Sequence, residues 1–150
     1  MNIHVQQSIE MRVVDEARKW LGTPYRHQGS RLGVGADCLG LVRGIWRDLY
    51  GSEPEQTGPY AMDWAEKGGD DRLLEAALKH FNSGPEKSSF GQLLLFRWNA
   101  GALVKHAGIM VSENSFIHAY SGVGVVESPL VPAWRKKIAG VFAFPKTTAI

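Results

Sequence analysis

One cysteine and two histidines are the residues of this chain best placed to do covalent chemistry. Cys38 is the only cysteine. It follows Gly35-Ala36-Asp37 and opens the apolar run Leu39-Gly40-Leu41-Val42. A thiol at a helix start feels the positive end of the backbone dipole and unpaired N–H groups, both of which stabilise thiolate. The competing reading of a lone cysteine is a small buried hydrophobe. A thiolate nucleophile needs a base within hydrogen-bond reach, and the base needs a third polar group to fix its tautomer. Five histidines are available: His4, His27, His80, His106 and His118. His4 lies near the terminus and His80 at the end of a surface helix, so both read as solvated. His106 opens one apolar, strand-like run and His118 sits within the next. In an antiparallel pair joined by a short turn, the two become cross-strand neighbours on one face, expected to be the face that meets the cysteine helix. A Cys–His–His zinc site would lack the close ligand spacing that brings two ligands in from one element. No metal and no cofactor are expected.

The elements that position these residues follow from periodicity. Ile9, Val13, Val14, Ala17, Trp20 and Leu21 recur at helical spacing behind Ser8, a plausible N-cap, and Gly22 and Pro24 end that helix. Leu41, Val42, Ile45, Trp46 and Leu49 mark a second helix ending near Gly51, apolar enough to be central and buried. Ser52 to Gly69 reads as a surface excursion anchored by Tyr60 and Trp64. Asp70 is expected to cap a short helix through Leu73, Leu74, Ala77, Leu78 and Phe81, closed by Gly84-Pro85. The period then changes. Runs at 92–96, 106–111, 115–120, 124–128 and 140–144 read as strands, with turn signals Glu113-Asn114 and Ser121-Gly122 suiting an antiparallel meander. Helices first and sheet afterwards predict an α+β fold with the central helix packed on one sheet face.

Composition limits the function classes. A chain of 150 residues reads as a single domain, 1–150, with enough length to bury a core. Hydrophobic residues at 44% and charged residues at 21% argue against disorder. A net charge of +2 is too weak and dispersed to argue for nucleic acid. No apolar run approaches the roughly 18 residues that span a membrane. Met1 to Glu10 lacks a basic-then-apolar pattern, so synthesis in the cytoplasm without a signal peptide is expected.

Taken together, Gly22-Thr23-Pro24-Tyr25-Arg26, Asp37-Cys38-Leu39-Gly40-Leu41-Val42, His106-Ala107-Gly108-Ile109 and Phe116-Ile117-His118-Ala119 resemble, in order and spacing, the signatures of NlpC-type cell-wall peptidases. The resemblance runs from about Val13 to Phe144. The segment from Leu41 to Gly51, with Glu53-Pro54 and the loop Pro59-Tyr60 to Asp63-Trp64, is similar to the short branch carried by tailed phages and gene transfer agents. The resemblance implies a papain-like α+β fold and cleavage of peptidoglycan stem peptides, typically between D-glutamate and diaminopimelate. It makes Cys38 the nucleophile, His106 the general base and His118 its orienting partner. Tyr25 would help bind substrate or the oxyanion beside the Cys38 backbone N–H. Asp37 is either a helix N-cap or the partner of a stem-peptide amine, and His27 either lines the cleft or is an exposed loop histidine. Leu39 stands where many relatives have Ser, which implies cleavage of intact sacculi in preference to free peptide. Gln92 stands where many have Asp, with no catalytic cost expected. The implied partners are peptidoglycan and the tail-tip or baseplate proteins of a phage-like particle, acting at the target cell wall in the periplasm. Trp46, Trp64, Trp98 and Trp134 read as core and loop anchors rather than a sugar platform. Arg135-Lys136-Lys137 reads as a solvated run or a contact to a subunit or anionic wall. The competing functions are a non-catalytic tail-tip component, or an amidase or acyltransferase of the same fold.

Overall fold

The computed structural model describes residues 7–54, 71–85 and 89–146. The expected roles of Tyr60 and Trp64, the Asp70 cap and the terminal His4 lie outside these residues. Two helices come first. α1 spans Ile9–Lys19, and Ser8 Oγ accepts from Met11 N at its start. A two-stranded ribbon follows, β1 (Ser30–Arg31) and β2 (Gly35–Ala36), which delivers the chain into α2 (Cys38–Tyr50). α2 ends at Gly51, whose φ of +87° is the left-handed conformation that glycine adopts without strain.

α3 spans Arg72–His80. Its N-cap position is Asp71, yet the Asp71 side chain makes no capping hydrogen bond. Its carboxylate instead accepts from Val104 N at 3.1 Å and from Arg97 at 3.2 Å, tying the helix start to the sheet. Beyond the helix, β3 (Asn82–Ser83) forms a short edge strand where a plain helix exit was expected. The remaining elements are β4 (Gln92–Arg97), β5 (Val104–Ser112), β6 (Ser115–Tyr120), β7 (Gly124–Pro129), the single turn α4 (Pro132–Arg135) and β8 (Ile138–Ala143).

The sheet is antiparallel, in the order β3-β8-β4-β5-β6-β7. β4 to β7 form the expected meander, but β8 crosses back to pair with β4 on its other side, which corrects a simple up-and-down order. The sheet is apolar on both faces. One face packs Leu93, Leu95, Ala107, Ile109 and Ile117 against Val13, Ala17, Leu41 and Ile45 of the helices. The other gathers Leu94, Phe96, Met110, Phe116 and Leu130 beneath Trp134. At the β7 side, Gly22 N donates to Val125 O and Val125 N donates to Thr23 O, at 3.0 and 2.9 Å.

Candidate active site

Cys38 is the first residue of α2, and the helix behind it is fixed by its apolar face. Asp37 is the N-cap and is 4% exposed. Its Oδ1 accepts from Gly40 N and its Oδ2 from Gln28 N, both at 2.7 Å. A cap of this kind contributes about 1 kcal/mol, and this one also clamps the preceding loop to the helix. His27 is drawn to the same carboxylate, with Nδ1 3.9 Å from Oδ2. Asp37 thus sits beside the nucleophile position on the loop side, with His27 next to its carboxylate.

Tyr25 reaches that side by backbone pairing. Arg26 N donates to Ala36 O and Ala36 N donates to Pro24 O, which lays residues 24–26 beside β2 one step before Cys38. Tyr25 is half-buried, and its hydroxyl pKa is pushed up to about 12, first by burial and then by the neighbouring Cys38 and Asp37. Leu39 points elsewhere. It lines an apolar cavity of about 80 Å³ with Val42, Trp46, Leu73, Phe81 and Ala107, between α2, α3 and the sheet.

The Cys38 Sγ lies 4.0 Å from the Lys105 carbonyl, its acceptor, against the backbone of β5. Burial pushes the thiol up to about 12, with the Asp37 carboxylate adding to it. Backbone N–H groups of Ala107, Leu39 and Cys38 pull the other way but more weakly. The helix start therefore does not by itself make a thiolate here; desolvation outweighs it.

The two histidines meet, but on a different face from the one expected. Ala107, Ile109 and Val111 turn toward the helices. His106 alternates to the opposite side, packed with Phe96, Trp98 and Trp134. The physical reason is the two-residue strand period: the sulfur sits against the strand's backbone, so its nearest strand neighbours flank His106 without sharing its face. His106 Nε2 and His118 Nδ1 are 2.7 Å apart, and His118 Nε2 is 2.8 Å from Ser128 Oγ. The register Ile109↔Ile117 places Gly108 opposite His118, so the two imidazoles are diagonal neighbours. A Cβ on Gly108 would lie 3.2 Å from His118 Cβ and 2.9 Å from Phe116 Cδ2. The missing side chain leaves the His118 ring room to lean toward His106.

His106 is 5% exposed and His118 0%. Burial holds both well below the ordinary histidine value, and for His106 the neighbouring His118 ring lowers it further. Above pH about 6.5 the histidines of the unfolded chain are also neutral, and the pair adds no pH dependence. Below it the unfolded chain takes up protons that the folded pair refuses, so stability is lost as pH falls toward the lowered folded values. Urea melts between pH 6.5 and 4.5 should show a slope of about 1 kcal/mol per pH unit for each histidine, and His118→Gln should remove one share. An unchanged slope in that variant would place the acid sensitivity elsewhere.

Among the described residues, no cluster of three or more His, Cys, Asp or Glu side chains forms a metal cage. No helix among the described residues is long and apolar enough to cross a membrane. Sequence reasoning missed Ser128, and it read Trp98 and Trp134 as anchors where they wall the histidine pair. Trp98 stacks on His106 at 5.4 Å, and Trp134 lies edge-on to His118 at 5.2 Å. Gln92, at the departure noted above, is buried and accepts from Ser89 Oγ.

A helix-borne cysteine set against an antiparallel sheet that carries paired histidines defines a papain-like α+β protein. Residues 22–143 match the NlpC/P60 family, and the chain belongs to it. It is 31% identical over 131 residues to the murein DD-endopeptidase MepS/murein LD-carboxypeptidase of Escherichia coli (strain K12), an alignment covering 86% of this chain and 60% of that protein. It is 26% identical over 140 residues to the gamma-DL-glutamyl hydrolase of Bacillus subtilis (strain 168), covering 93% of this chain and 30% of that one. The chain thus spans less than two thirds of either relative. The NlpC/p60 domain of the peptidoglycan hydrolase SagA superposes with a TM-score of 0.58 at 20% identity, over 90% of this chain and 98% of that domain.

Proposed function

We propose that the protein is a cysteine endopeptidase of peptidoglycan stem peptides, with Cys38, His106 and His118 acting as nucleophile, base and orienting group. The observation that carries this reading is the hydrogen-bonded imidazole pair whose His106 ring is borne by β5, the strand against whose backbone the Cys38 sulfur rests. The raised thiol and lowered histidine values favour a neutral pair at rest, with the proton transferred as attack begins. For that, Sγ must leave the Lys105 carbonyl and present its proton to the ring of the next residue. Thiolate attack on the amide carbonyl then gives a tetrahedral oxyanion, stabilised by the Cys38 backbone N–H and the Tyr25 hydroxyl. His106 protonates the leaving amine, and water hydrolyses the acyl-enzyme.

The names of the two relatives point to different bonds, one to murein cross-links and carboxy-terminal residues, the other to gamma-glutamyl linkages. The family resemblance in the signature motifs favours the D-glutamate–diaminopimelate bond. Mass analysis of digested sacculi decides, because each cleavage leaves a different new amine. The expected cut leaves a glycan-linked stem ending at D-glutamate and releases a fragment beginning with diaminopimelate, and sacculi should be cut at least as well as free tetrapeptide. A new amine on L-alanine would instead mark an amidase, and absence of any product would overturn the enzymatic reading.

Service in the tail of a phage-like particle is the finer part of the proposal. It rests on the resemblance of residues 41–51 with Glu53-Pro54. In the fold this segment is held together internally, since Glu53 pairs with both Arg43 and Arg47. Peptidoglycan digestion by purified particles, lost when the Cys38→Ala chain replaces the native one, tests that placement. Particles that lack the chain altogether would refute it.

A further inference from the structure

The hydrogen-bonded line does not stop at His118. Its Nε2 meets Ser128 Oγ at 2.8 Å. The register Phe116↔Ser128 puts that serine on the sheet face that carries both imidazoles. We propose that Ser128 is a positioning residue that fixes the tautomers of the histidine pair: its hydroxyl oxygen accepts Nε2–H of His118, whose Nδ1 accepts Nε2–H of His106, leaving the His106 Nδ1 lone pair for the Cys38 proton. The inference rests on the roles assigned to Cys38 and His106 above.

A line of neutral groups of this kind can run in two directions. If the serine donated to His118 Nε2, then His118 Nδ1–H would donate to His106 Nε2. The single proton of neutral His106 would then sit on Nδ1, and the ring could not take the thiol proton. Running the other way, the thiol proton leaves Sγ and bonds to Nδ1, while the proton on Nε2 stays in place and no proton reaches His118 or Ser128. His106 then carries protons on both nitrogens, so His118 must present a lone pair at Nδ1 and keep its own proton on Nε2. That Nε2–H needs an acceptor. His118 has no exposed surface, and Ser128 Oγ is its Nε2 partner in the fold. The hydrogen bond at one imidazole nitrogen sets the state of the other. Ser128 thereby acts on the base two groups away. Being neutral, it does so without adding a charge to a face built of Phe96, Phe116 and Trp134.

The test reads the tautomers directly. Nitrogen NMR of the full chain labelled in its histidines should show His106 and His118 both protonated at Nε2. Either ring protonated at Nδ1 in the unaltered protein would overturn the proposal, whatever the variants do. Ser128→Ala should give mixed tautomers at both rings and slow iodoacetamide alkylation of Cys38 at neutral pH about tenfold. On peptidoglycan it should lower kcat with KM unchanged. Ser128→Thr retains the oxygen and should restore all three readouts. Unchanged tautomers and alkylation in Ser128→Ala would overturn the inference, as would a folded Ser128→Thr that restores nothing. The NMR and alkylation readouts need no peptidoglycan. A chain that cut no wall yet showed these tautomers and their dependence on Ser128 would refute the proposed substrate and support this assignment.

Discussion

Cys38→Ala is expected to abolish peptidoglycan hydrolysis, a loss of at least about 10⁴-fold, while shifting the melting temperature by no more than about 2 °C. Both halves of that expectation come from the surroundings of the sulfur. The side-chain hydrogen bond of Sγ is a long one, 4.0 Å to the Lys105 carbonyl, so its removal leaves no strongly held partner behind. The helix cap is supplied by Asp37, which the substitution leaves in place. Alanine is also a better helix former than cysteine. With the thiol pushed up to about 12, no buried charge is lost. Turnover of sacculi and a thermal melt of the same preparation check the two halves together. Retained hydrolysis would refute Cys38 as nucleophile, and a large fall in melting temperature would show that the sulfur is part of the core.

Gly40→Ala should do the reverse, damaging the fold and the site together. A Cβ at position 40 would stand 1.6 Å from the Gly29 carbonyl oxygen and 2.7 Å from its carbon. These are backbone atoms, which cannot swing aside as the end of a side chain can. The Gly29 carbonyl also accepts from Asp37 N. Displacing it strains the cap, the Gln28 N bond to Asp37 and the path of the Tyr25 segment. A loss of about 3 kcal/mol in urea unfolding is expected, with activity per folded molecule also reduced. Wild-type stability in this variant would contradict the close approach of loop and helix.

Much of this arrangement was legible from residue types. The helix starting at Cys38 followed from a capping aspartate, an apolar period and a terminating glycine, each a local signal. The pairing of His106 with His118 followed from two strand runs and a short turn. Which sheet face they share did not. β5 is buried along nearly all of its length, so no apolar–polar alternation distinguishes its two sides. At the start of α3 no local signal shows that the Asp71 carboxylate goes to Val104 N and Arg97 of the sheet and not to the helix's own N–H groups. Ser128 could not be found locally. Its partner lies across a strand pair whose register, His118↔Val126, is set by the turn at 121–123 and not by any motif. The Trp98–His106 stack likewise depends on the bulge after Phe96.

The backbone bonds of Gly22 and Thr23 with Val125 carry a consequence of a different kind. β7 is the outer strand of the sheet, and such a strand offers unpaired N–H and C=O groups to any other extended chain. Here the loop leading to Tyr25 occupies the Val125 groups. It lies so close that a Cβ on Gly124 would sit 2.9 Å from the Thr23 carbonyl oxygen. At the other margin β3 is only two residues long. One segment thus both carries Tyr25 to the thiol and occupies the Val125 groups of the sheet's outer strand, so loosening it would open part of that edge and disturb the site at once.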